Sequence, residues 1–142
     1  MATPSNLPTT PATNLDSYAQ ALSHALTEGW PESDLVRLLA QAVEDFDRLG
    51  HDDDRARFLA EPRLTGNPVW DAALAALAVH LTRRARLPRV PTWTQAENRY
   101  VTRLHWIGLA EDSTLQAFVY QRTPAYFKAR GVMLNEANLE SV

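Results

Sequence analysis

The stretch Pro68-Val69-Trp70-Asp71-Ala72-Ala73-Leu74-Ala75-Ala76-Leu77-Ala78-Val79-His80-Leu81-Thr82-Arg83-Arg84 decides the fold. Its apolar residues fall on nearly every side of a helix rather than on one stripe, and its alanines let neighbours approach closely, so it belongs at the centre of a helical bundle. Its start is marked by Thr65-Gly66-Asn67-Pro68, a turn that delivers an N-cap asparagine and a first-turn proline. Its end is basic, with Arg83, Arg84 and Arg86, as the negative end of the helix dipole favours.

Upstream, Asp16 or Asn14 caps a helix whose Leu15, Tyr18, Leu22, Ala25 and Leu26 share one face, and Gly29 stops it. Pro31 opens a second helix with Glu32 and Asp34 in its first turn and a clean stripe of Leu35, Leu38, Leu39, Ala42, Val43 and Phe46, ending at Gly50. His51-Asp52-Asp53-Asp54 begins a shorter helical piece with Phe58 and Leu59 inward, closed by Glu61-Pro62. Downstream, Leu87 to Pro91 forms a rigid connector, and Thr94-Gln95-Ala96-Glu97 reads as a capping box that predicts a helix with Tyr100, Val101 and Leu104 inward. After a break at Gly108 to Asp112, Asp112 or Ser113 caps a helix through Leu115, Phe118 and Val119, which Thr123-Pro124 interrupts before Ala125 to Arg130. Gly131 ends the regular structure, and Val132-Met133-Leu134, Leu139 and Val142 follow as a short apolar segment with Asn135 as a cap.

The fold class expected is therefore all-α: a bundle of about five to seven helices with a short irregular C-terminal segment. The chain of 142 residues makes one domain over 13–142, preceded by a disordered tail, 1–12, of Pro, Thr, Ser and Ala. No cysteine is present, which excludes disulfides, thiolate metal sites and a cysteine nucleophile and suits a reducing cytoplasm. The longest strongly apolar run, Ala72 to Val79, is far shorter than the roughly 20 residues of a membrane-spanning helix.

The net charge is −3, but its sign is segregated: Asn14 to Pro62 carries a balance of −7 and Arg63 to Arg130 a balance of +6. Two accounts fit: acidic and basic helices facing each other inside one domain, or a polarised surface that steers a charged partner.

His24, His51, His80 and His105 have no partner at ligand spacing, and Asp52 to Asp54 are what a helix start favours, so no metal and no cofactor is expected. The glycines are isolated, which excludes a phosphate loop. Arg99 and His105 stand at a spacing resembling the ribonuclease motif of the helical HEPN superfamily, where such a pair would activate a ribose hydroxyl; with thirteen arginines and four histidines in the chain, about one such match arises by chance. Arg83, Arg84, Arg86 and Arg89, with Arg99 and Arg103, make a candidate phosphate-contacting patch for a DNA-binding regulator, although no helix-turn-helix is evident. Trp70, Trp93 and Trp106 read as core, and Trp30 as either a staple at a helix junction or an exposed anchor. Two groups qualify as a partner surface: the C-terminal Tyr126, Phe127, Met133 and Leu134, and an acidic face of Asp45, Asp47, Asp52 and Asp53.

From Leu64 to Leu139 the chain resembles a family of small actinobacterial-type helical proteins encoded beside nucleotidyltransferase-like toxins. The matching residues are Leu64-Thr65-Gly66-Asn67-Pro68, Asp71 to Ala78, Val90-Pro91-Thr92-Trp93, Arg103 to Ile107, Thr123 to Phe127, Arg130-Gly131-Val132 and Leu139; Arg103-Leu104-His105-Trp106 stands where the family has an Arg-Pro-Trp-Phe-like step. The resemblance implies an antitoxin or accessory subunit rather than an enzyme, with the neighbouring nucleotidyltransferase-like toxin as partner.

Overall fold

The structure, a computed structural model, describes residues 13–108 and 113–140. The expected tail at 1–12, the cap at Asp112 and the apolar Val142 lie outside them. Six helices form the described fold: α1 (Leu15–Thr27), α2 (Glu32–Asp47), α3 (Asp52–Phe58), α4 (Pro68–Arg84), α5 (Gln116–Arg122) and α6 (Ala125–Ala129). The all-α bundle with a short irregular C-terminal segment is what the structure shows.

Each long helix begins and ends for a local reason. Asn14 caps α1: its side chain accepts from the Ser17 amide at 2.9 Å, and Ser17 Oγ accepts from the Asn14 amide at 3.0 Å. Gly29, at φ 75°, lets the chain turn back so that the Trp30 amide reaches the Ala25 carbonyl at 3.0 Å. Asn67 caps α4 by accepting from the Val69 amide at 2.9 Å, and Pro68 fills the first turn. The α4 helix is the centre of the molecule: every residue from Trp70 to Thr82 is buried, and it packs on α1, α2 and α6. Against it lie Leu15, Leu22, Leu35, Leu39 and Phe46, all essentially inaccessible. Fully burying a side chain of this size contributes about 1.5 to 3 kcal/mol.

The helix expected from Thr94 does not form. Two short 3₁₀ turns, Thr92–Gln95 and Glu97–Arg99, stand there instead, followed by extended chain with Tyr100 and Leu104 at the surface. The cause is non-local. Arg99 lies buried, its Nη1 donating to the Asp71 carbonyl at 3.2 Å and its Nη2 to the Pro62 carbonyl at 2.8 Å, and the Arg99 guanidinium carbon lies 4.7 Å from the centroid of the Trp93 ring. The Trp93 indole in turn donates to the Leu59 carbonyl at 2.9 Å. These bonds cap carbonyls at the start of the central helix and along the loop before it, and a continuous helix over 94–104 would break them.

A two-residue parallel pairing also joins β1 (His105–Trp106) to β2 (Val132–Met133). Gly131, at φ 81°, directs the chain from α6 into this pairing, and its carbonyl accepts from the His105 amide at 2.8 Å. The buried Arg130 fixes the same corner, donating to the Thr94 carbonyl at 2.7 Å. Among the described residues, no helix is long and apolar enough to cross a membrane.

Candidate protein-docking surface

α5 is the exception to the packing rule. None of its residues is buried, and Leu115, Phe118 and Tyr120, in and just before it, are 56%, 47% and 47% exposed. A helix of 7 residues is too short to persist on propensity alone and needs a covered face. Leu115, Phe118 and Val119 instead form one wall of an open groove of about 930 Å³. The opposite wall is the outer side of α2, with Val36, Arg37 and Ala40; Ile107 and the 3₁₀ turn Glu136–Leu139 complete it. Glu44 and Glu140 also line it, and both already meet this chain's arginines: Glu44 accepts from Arg48 at 2.6 Å, and Glu140 lies 3.9 Å from Arg84.

The C-terminal residues expected to anchor a partner lie elsewhere. Phe127, Met133 and Leu134 are each 1% exposed or less and belong to the bundle's interior. Only Tyr126 is half-buried, and its hydroxyl lies 2.7 Å from His80 Nδ1 on the central helix. Of the two placements open to this segment, standing clear of the core or folding back on it, the structure has the second. The β1–β2 pairing, with Ile107 donating to the Met133 carbonyl at 3.0 Å, folds it back over α4 and seals the bundle.

The acidic face is largely engaged within the chain. Asp45 accepts from the Tyr18 hydroxyl, from Gln41 at 3.0 Å and from Arg48 at 3.5 Å. Burial and that carboxylate push the Tyr18 phenol well above its usual range. Asp47 is clasped by Arg84 at 2.8 Å, and Asp52 accepts from Arg55 at 2.7 Å. Asp53 is exposed. The segregated charge of the sequence thus meets in part inside the domain: Arg84 holds Asp47, and Arg63 holds Asp16 through two side-chain bonds of 3.0 Å, which keep the Asp16 carboxyl down at about 2.

The arginine patch is likewise divided: Arg84 is paired, the Arg83 guanidinium carbon sits 5.7 Å from the Tyr126 ring centroid, and Arg86 and Arg89 are exposed. Arg99 and His105 have separate partners. Arg99 is sealed in the core, while His105 Nε2 lies 2.6 Å from Glu32 Oε2 at the start of α2, and Gly108 donates its amide to the same carboxylate at 2.8 Å. His105 thereby ties β1 to α2, beside a cleft of about 700 Å³ that also holds Tyr100, Arg103 and Trp106. Trp30 is 45% exposed at the α1–α2 junction.

Leu115, Phe118 and Val119 were legible in the sequence as a helical stripe, and only their exposure was not. The available signal was length: nine residues between Ser113 and the Thr123-Pro124 break give little surface with which to grip a bundle. No protein family, curated protein or solved structure matches this chain.

Proposed function

We propose that this chain is a protein-binding antitoxin that neutralises a nucleotidyltransferase-type toxin in the cytoplasm by direct contact, through the groove between α2 and α5. One observation supports docking there: large apolar side chains of a short helix stand uncovered beside an apolar groove, while every longer helix has its stripe buried. The nature of the partner rests on the resemblance of the Leu64 to Leu139 region to proteins encoded beside such toxins.

Co-expression with a nucleotidyltransferase-type toxin encoded next to this chain tests the reading. Wild type restores growth; Phe118→Asp, which alters an exposed side chain and leaves the circular dichroism spectrum unchanged, does not. Restoration of growth by Phe118→Asp at equal expression would remove this groove from the proposal.

A further inference from the structure

We infer that the C-terminal end of α4 carries a second binding site, for the phosphate backbone of duplex nucleic acid, formed by Arg83, Arg86 and Arg89. The backbone singles it out. Five described residues have a positive φ; four are glycines and the fifth is Arg86, at φ 55°. Arg86 stands at the left-handed position that closes a helix, where glycine costs least: its amide reaches the Arg83 carbonyl at 3.1 Å, and the Leu87 amide reaches the Thr82 carbonyl at 3.0 Å. No contact within the chain offsets the strain. The Arg86 side chain is exposed and has no hydrogen bond, ion pair or ring contact among the described residues. Strain that persists without such a contact points to a side chain that acts outside its own chain.

Arginines in the last turn of a helix are what its negative end favours, and that accounts for Arg83 and Arg84. It does not account for Arg86 and Arg89, which lie past the helix end, where the carbonyls of Leu81, Thr82 and Arg83 already accept from Ala85, Leu87 and Arg86. Three carboxylates belong to this end of α4. Asp47 and Glu140 meet Arg84, and Glu136 bears on Tyr126, whose ring centroid lies 5.7 Å from the Arg83 guanidinium carbon. The four arginines outnumber them by one, and the surplus sits past the helix end, where Arg86 and Arg89 are paired with no described carboxylate. An acidic protein face fits this site less well, because a protein interface needs apolar or aromatic anchors, and none of the large exposed apolar residues lies between Arg83 and Val90. A single strand would want a ring to stack on, and the half-buried Tyr126 ring already carries Arg83. Cations alone suffice for duplex phosphates. None of the three arginines lines the α2–α5 groove, so this site is separate from the docking surface.

Anisotropy of a fluorescein-labelled DNA duplex of about 20 base pairs, titrated with the full chain from about 20 mM to about 200 mM NaCl, tests the inference. For wild type, log affinity should fall against log salt with a slope of about −2.7, three phosphates at about 0.9 each. Arg86→Gly should reduce that slope by about 1 and weaken low-salt binding roughly tenfold, while raising the thermal midpoint because the strain is relieved. Arg89→Gln should weaken binding alike without the gain in stability. Arg57→Gln, which removes an equal charge on α3, should leave binding unchanged. Absence of duplex binding by wild type, a thermal midpoint lowered by Arg86→Gly, a slope indifferent to Arg86 and Arg89, an equal loss from Arg57→Gln, or tighter capture of a labelled single strand or oligoglutamate peptide would each overturn the inference.

Discussion

The Arg99 guanidinium carbon lies 4.7 Å from the centroid of the Trp93 ring, with both side chains packed against the start of the central helix. Burial lowers the pKa of this guanidinium from its usual value. The arginine that a spacing rule offers to catalysis is thus a brace.

Replacing Arg99 with Ala leaves the Pro62 and Asp71 carbonyls without their donor and removes the stacking, a cost of about 2 to 4 kcal/mol in urea unfolding. His105→Ala, which removes only a half-exposed bond to Glu32, should cost about 1 kcal/mol. Neither change should alter the fate of RNA incubated with purified protein, because wild type is expected to leave it intact. Cleavage by wild type that His105→Ala abolishes would contradict this.

Gly131 tests the corner that folds the C-terminal segment back. A Cβ there would lie 2.6 Å from the Val101 carbonyl oxygen, at φ 81°. Gly66, at φ 93°, has nothing within 4 Å of its would-be Cβ. Gly66→Ala should cost about 1 kcal/mol from backbone strain alone, and Gly131→Ala about 2 kcal/mol or more because strain and clash add. Equal costs in thermal unfolding would mean that Val101 and Gly131 are not so closely apposed.

His80 gives a pH dependence of stability. Burial, with the nearby Arg84, pushes its imidazole below the ordinary 6.5; Glu136, Glu140 and Asp47 act the other way. Its Nε2 is buried without a hydrogen-bond partner among the described residues. Below pH 6.5 the unfolded chain takes up a proton that the folded chain resists, so stability declines as pH falls through that value and this residue contributes no slope above it. Denaturant midpoints measured from about pH 7.5 to about pH 5.5 should fall for wild type and fall less for His80→Gln. Identical slopes would show that His80 does not govern this range.

The long helices were legible because their signals are local: Asn14 and Asn67 as caps, Pro68 in a first turn, and the Leu35 to Phe46 stripe all act within a few residues. The region from Thr92 to Ile107 was not, because Arg99 and Arg130 override a valid capping signal by bonding to carbonyls 28 to 37 residues away. The same holds for Phe127, Met133 and Leu134. A two-residue parallel pairing leaves no periodicity to read, yet it decides that these side chains face inward. For α5 the stripe was read correctly, and apart from the shortness of the segment the sequence contains nothing that says whether a stripe is covered by its own chain or by another.

Hydrogen–deuterium exchange of the chain alone and in complex with the neighbouring toxin tests the docking claim most directly. α5 buries none of its residues, so its amides should exchange quickly in the free protein. On complex formation the account predicts slowed exchange over Leu115 to Arg122 together with the α2 segment from Ser33 to Glu44, and little change over the already buried Phe127 to Leu134. Protection that appears only at Tyr126 to Leu134, or unchanged exchange throughout α5 in a complex shown to form, would contradict it.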